Sequence, residues 1–171
     1  MLPVWILQEV EVINFPIPPI TLGSAQVAVP LEGQDMKRLA GLAATKDQKL
    51  LLRLNDVEAA HQPGASWEVY VGLPANATPD PEGPFFVGLV VLFGTGIRDE
   101  AHHEFLPASF QFAVNGAVQA AMKSNSTLSL TFVPHGILID GKPSHPDVAS
   151  EVHINKVSIA VTTEKQSQEK Q

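Results

Sequence analysis

Apolar residues in this chain recur mostly with a period of two, in short runs, and Pro/Gly-rich segments separate the runs. Alternation of that kind marks strands with one buried face. From Trp67 to Pro74, Trp67, Val69 and Val71 share one face, and Glu68 and Tyr70 the other. After the turn-forming segment 75–83, the run Pro84–Gly94 is apolar at nearly every position, which predicts a strand covered on both faces. Together the two runs predict a central hairpin. Alternation also predicts strands at 4–13, 20–30, 49–57 (with a bend at Asn55-Asp56), 104–112, 126–134 and 152–161. Helical spacing appears twice. Met36, Leu39 and Leu42-Ala43 fall on one stripe within 31–45, and Val114, Ala117, Val118, Ala121 and Met122 on another within 113–124. The segment Thr162–Gln171 has no apolar content and is expected to be a disordered polar tail.

These elements amount to one domain, residues 1–161. The expected fold class is all-β: an antiparallel β-sandwich or jelly roll of about eight strands with one or two short helices. Composition agrees, because 44% hydrophobic and 17% charged residues in a chain of 171 allow a sizeable core. The chain contains no cysteine, which excludes disulfides, thiolate metal sites and thiol catalysis. A net charge of −7 and no basic cluster beyond Lys37-Arg38 argue against nucleic acid as a partner. No run of about 18 apolar residues predicts a membrane-spanning helix. The first residues lack the features of a signal peptide and read as mature sequence or as the cut edge of a longer protein. With cysteine absent, the reading favours the cytoplasm.

Candidate chemistry is sparse. His102-His103 lies in a polar loop with Asp99, Glu100 and Glu104. It is the one candidate metal site, and solvated loop histidines explain it as well. His135 follows Pro134 at a strand end, placed to cap a sheet edge or to face a partner. Ser144, His145 and Asp147 have triad residue types but are local in sequence, and no Gly-x-Ser-x-Gly elbow accompanies them. Gly94-Thr-Gly96 lacks the third glycine of a dinucleotide loop. No catalytic constellation emerges, so no enzyme is expected from this chain alone.

Three stretches taken in order resemble the C-terminal domain of plant-type polyphenol oxidases and tyrosinases: Leu50–Val57, Ser66-Trp-Glu-Val-Tyr-Val71 and Pro84-Phe-Phe-Val-Gly88. That domain carries a Lys-Phe-Asp-Val-Tyr-Val signature. Here Ser66, Trp67 and Glu68 stand for its first three residues, and Val69, Tyr70 and Val71 match. Phe86 and Gly88 fall in the third stretch. Leu128–Pro134 resembles that family's strand ending in Leu-Val-Pro, and Ile154–Val161 its closing strand. The resemblance runs from about Phe15 to Val161. Ser66 and the His102-His103 loop depart from the plant pattern.

The resemblance implies a jelly-roll domain that shields the dicopper site of a separate helical oxidase domain, keeps that oxidase latent and assists its folding. The copper and its histidine ligands would belong to that partner, in cis or in trans, with no cofactor in this chain. Such a cover needs an apolar side chain that projects from a loop. The candidates are Phe15 and Ile17 (close to the domain entry, where the family's plug tends to lie), Phe105 and Leu106, and residues 137–139. The alternative is a free-standing sandwich that acts as a binding or oligomerisation module.

Overall fold

The computed structural model describes residues 3–33, 35–93, 95–98, 105–136, 138–139, 142–143 and 151–167. The architecture is a two-layer antiparallel β-sandwich. The first sheet has five strands: β1 (Trp5–Phe15), β11 (Val152–Gln166), β4 (Gln48–Ala59) and β7 (Ala108–Ala113) in spatial order, with the short β2 (Ile20–Leu22) also paired to β11. The second has four: β3 (Val27–Pro30), β8 (Ser129–Gly136), β5 (Ala65–Val71) and β6 (Phe86–Val90). A small hairpin, β9 (Leu138–Ile139) with β10 (Lys142–Pro143), stands apart. Leu50, Leu52, Leu54, Ile159 and Val161 from one sheet meet Trp67, Val69, Val71, Leu130 and Phe132 from the other in a single core.

Two helices, α1 (Met36–Ala44) and α2 (Asn115–Lys123), pack on each other at the end where β4 begins. Asp35 caps α1 by accepting from the Lys37 and Arg38 amides, which satisfies two donors that a helix start leaves unpaired. Of the stripe that helical spacing predicts, Val114 just before α2 and Ala117, Val118 and Ala121 within it are buried, and Met122 is half-buried. Asn115 ties this end together. Its side-chain oxygen accepts from the Leu50 amide at 2.9 Å, and its amide nitrogen donates to the carbonyls of Ala43 and Gln48, both at 3.0 Å.

The bend expected at Asn55-Asp56 is a crease through two strands. Core-facing positions in β4 are 50, 52 and 54, then 57 and 59; in β11 they are 152 and 154, then 157, 159 and 161. Both strands change phase opposite each other, because Val57 pairs with Ile154 and Leu54 with Val157. Asp56 adopts φ 51°, and Asn155 Nδ2 donates to its carbonyl at 2.7 Å. A left-handed residue in one strand, held by a side chain from its neighbour, keeps both apolar sets pointing inward.

Four expectations are corrected. The alternating run is the more deeply covered strand: Glu68 and Tyr70 on the outer face of β5 are buried along with Trp67 and Val69. The continuously apolar run is the short edge strand β6, with Leu89 exposed, so its composition does not reflect burial on both faces. The segment 20–30 makes two strands in different sheets, β2 and β3. The tail expected from Thr162 is strand as far as Gln166. Thr162 Oγ1 donates to the Lys49 carbonyl, Lys49 Nζ lies 2.7 Å from Glu164, and the backbone pairs with both β1 and β4. Polar residues form strand there because β1 supplies the ladder throughout and β4 joins it at Thr162 and Thr163.

Candidate functional site

The sandwich end opposite the helices carries a braced loop cluster. Leu92 is buried beneath it, and Gln62 Nε2 donates to the Leu92 carbonyl. Ile97 forms a parallel bridge with Ala59, the last residue of β4. Around this bridge the Ala59 amide donates to the Gly96 carbonyl at 2.6 Å, the Arg98 amide to the Ala59 carbonyl at 2.6 Å, and the Gly96 amide to the Leu106 carbonyl at 2.7 Å. Gly96 has φ 78°, and a Cβ there would lie 2.8 Å from the Val57 carbonyl oxygen. Only glycine lets the two backbones approach so closely without strain.

On this base the loop presents apolar side chains to solvent. Phe93 is 79% exposed and Leu106 65%. Phe105 is half-buried, with the Arg98 guanidinium 4.6 Å from its ring centroid and Arg98 Nε 3.2 Å from Glu58. Stacking of the cation on the ring fixes both groups. A backbone held by main-chain bonds with its large apolar groups facing outward suits contact with another surface better than core packing.

Of the sequence-derived plug candidates, the structure exposes Leu106 and half-exposes Phe105. Phe15 is 5% exposed in the core, and Ile17 packs against that core. These two line a groove of about 440 Å³ with Pro16, Pro18, Val29, Pro30 and Glu32. Phe15 therefore does not project. His102, His103 and Ile137 lie outside the described residues, as do Ser144, His145 and Asp147. Among the described residues no group of three or more His, Asp or Glu side chains has the geometry of a metal site. Phe93 escaped the sequence reading because it closes a run that reads as buried; its signal was an aromatic immediately before the Gly94-Thr-Gly96 turn.

Of the signature residues, Glu68, Tyr70 and Phe86 form a second cluster on the outer face of β5, while Trp67 and Val69 point into the core. The Tyr70 hydroxyl donates to Glu68 Oε2 at 2.5 Å, and His135 Nε2 lies 2.9 Å from Glu68 Oε1. The Tyr70 and Phe86 rings meet edge to face, centroids 5.7 Å apart. Gly88 lies under the Phe112 ring, where a Cβ would meet it at 2.5 Å. Pro134 pairs with Trp67 beyond the end of β3, so among the described residues β8 has no neighbour on that side and a missing donor is tolerated. Glu68 thus holds Tyr70 of its own strand through one carboxylate oxygen and meets His135 of β8 through the other.

Burial, aided by the hydrogen bond and charge of Glu68, raises the Tyr70 hydroxyl well above its usual range. The unfolded chain then loses this proton near pH 10 while the folded chain keeps it. Stability is accordingly full below pH ~10 and falls as pH rises above it. Tyr70→Phe should flatten that alkaline loss in urea titrations between about pH 9 and 11.5. An unchanged slope would show that another group causes it.

A family model described as a domain of unknown function (DUF7868) matches residues 19–162. No curated protein matches the chain. Six chains among the solved structures do. One of them, latent apple tyrosinase, aligns over 88% of this chain at 15% identity with a TM-score of 0.41. This chain spans 27% of that protein's length. Among the described residues no helix is long and apolar enough to cross a membrane.

Proposed function

We propose that this chain, which belongs to the family described as a domain of unknown function (DUF7868), is a non-catalytic cover for the dicopper site of a helical phenol oxidase domain. Support comes from the ordered motifs between Leu50 and Val161 that resemble polyphenol oxidase C-terminal domains, and from the two-sheet fold they build. The observation that carries the reading is the braced loop with Phe93 and Leu106 facing solvent. A plug must reach into another domain's pocket without collapsing onto its own core. The hydrogen bonds at Ala59, Gly96 and Leu106 hold the loop, and its apolar groups gain burial only on docking. In this reading copper and its ligands belong to the partner, and this chain excludes substrate and water from the metal pocket.

The test is inhibition in trans. Added to a type-3 copper phenol oxidase domain freed of its own cover, the chain should lower diphenol turnover in a saturable way. Phe93→Ser should weaken that inhibition roughly thirtyfold, the effect of removing a 2 kcal/mol anchor. Full turnover at large molar excess of the chain would defeat the proposal. Equal inhibition by wild type and by the Phe93→Ser and Leu106→Ser variants would move the plug elsewhere.

A further inference from the structure

We infer that β1 is a self-association edge, through which a second copy of this chain extends the five-stranded sheet across a two-fold axis. This goes beyond the proposed cover role and rests on a different surface. Among the described residues the sandwich has several free strand edges, and most are protected. β3 is four residues long and ends in Pro30, β6 is five residues long with an irregular register, and β7 follows Pro107. Short strands, prolines and bulges are the usual protections against edge pairing. β1 is 11 residues long and contains neither proline nor lysine.

The first half of β1 is also unusually apolar. Its partner β11 runs on past the start of β4, so this part of the ribbon is open on both faces. Trp5 is 61% exposed, and Ile6 and Leu7 are exposed to a similar degree, as are Val4 and Val10. Burying such side chains with their unpaired backbone groups is the driving force for strand addition. The register break between Glu9 and Glu11 confines a flat pairing to the Val4–Glu9 segment, which favours a closed dimer over an open array.

Charge selects the occupant. Glu9 and Glu11 are already compensated within the chain, Glu9 by Arg53 at 2.6 Å and Glu11 by Arg38 at 2.5 Å. The edge therefore calls for no basic partner. An antiparallel two-fold centred near Leu7 places Leu7 opposite its copy and Trp5 opposite Glu9, so no two carboxylates face each other. A parallel pairing in register would oppose Glu9 to Glu9 and Glu11 to Glu11, at a cost to stability.

Sedimentation equilibrium of the full chain tests the inference. A concentration-dependent dimer is expected. Its affinity should rise several-fold between about 50 and 500 mM salt, because screening relieves repulsion between two acidic copies. Leu7→Lys should abolish the dimer, and since Leu7 is 53% exposed the monomer's thermal midpoint should not move. Leu106→Lys, at the other end of the sandwich, should leave the dimer intact. In the wild type, amide exchange at Ile6–Gln8 should slow as concentration rises. A monomer at about 100 μM, about a hundred times a micromolar Kd, would overturn the inference. So would a dimer indifferent to Leu7→Lys, or an open-ended polymer.

Discussion

Trp67→Ala is expected to lower the free energy of unfolding by about 3–5 kcal/mol, the range for losing a fully buried large aromatic. Trp67 is 1% exposed at the centre of the core-facing side of β5, between Pro134 on β8 and Val90 on β6. Its indole N–H donates to the Gly23 carbonyl at 3.0 Å, which anchors the segment that carries the chain from β2 to β3. Truncation opens a cavity between the sheets and frees that crossover as well. The thermal midpoint should fall by roughly 10–15 °C for a chain of this size. Trp67→Phe keeps most of the ring and loses the donor, so it should cost about 1–2 kcal/mol. Urea unfolding of the three proteins decides the matter; a loss below about 1 kcal/mol for Trp67→Ala would show that the core closes over the gap.

Asn115→Ala should cost about 3 kcal/mol, although the position is only half-buried and the change removes few atoms. Three main-chain groups, the Leu50 amide and the Ala43 and Gln48 carbonyls, lose their partner together. They come from the end of α1 and the start of β4, so one side chain joins a helix, a strand and α2. Asn115→Asp keeps an acceptor for the Leu50 amide but turns an oxygen towards two carbonyls, and it should be at least as costly. Urea midpoints measure the loss, and exchange at the Leu50 amide locates it. A loss under about 1 kcal/mol for Asn115→Ala would mean that water takes over the three bonds.

Much of the fold was legible in local pattern. The hairpin of β5 and β6, the crease at Asn55-Asp56, the stripe of α2 and the closing strand all follow from period and turn chemistry. Burial on the second face of a strand was not legible. Glu68 and Tyr70 read as outward because they alternate with Trp67 and Val69, yet a hydrogen bond between them and the Phe86 ring cover that face. The plug site was half legible. Leu106 and Phe105 were singled out from sequence, and Phe93 was hidden at the end of an apolar run. Phe15, named for its place near the domain entry, is core because it pairs with Val157 deep in the first sheet.

The sequence by itself determined the all-β sandwich, the absence of thiol chemistry and the set of signature residues. Those properties depend on composition and on neighbours close along the chain. Only the tertiary structure decided which strands lie at edges, which apolar groups remain outside, and that Thr162–Gln166 joins the sheet rather than trailing from it. Edge position, exposure and ladder partners come from residues far apart in sequence. An alternating apolar run looks the same whether it lies between two neighbours, as β5 does, or beside one, as β1 does.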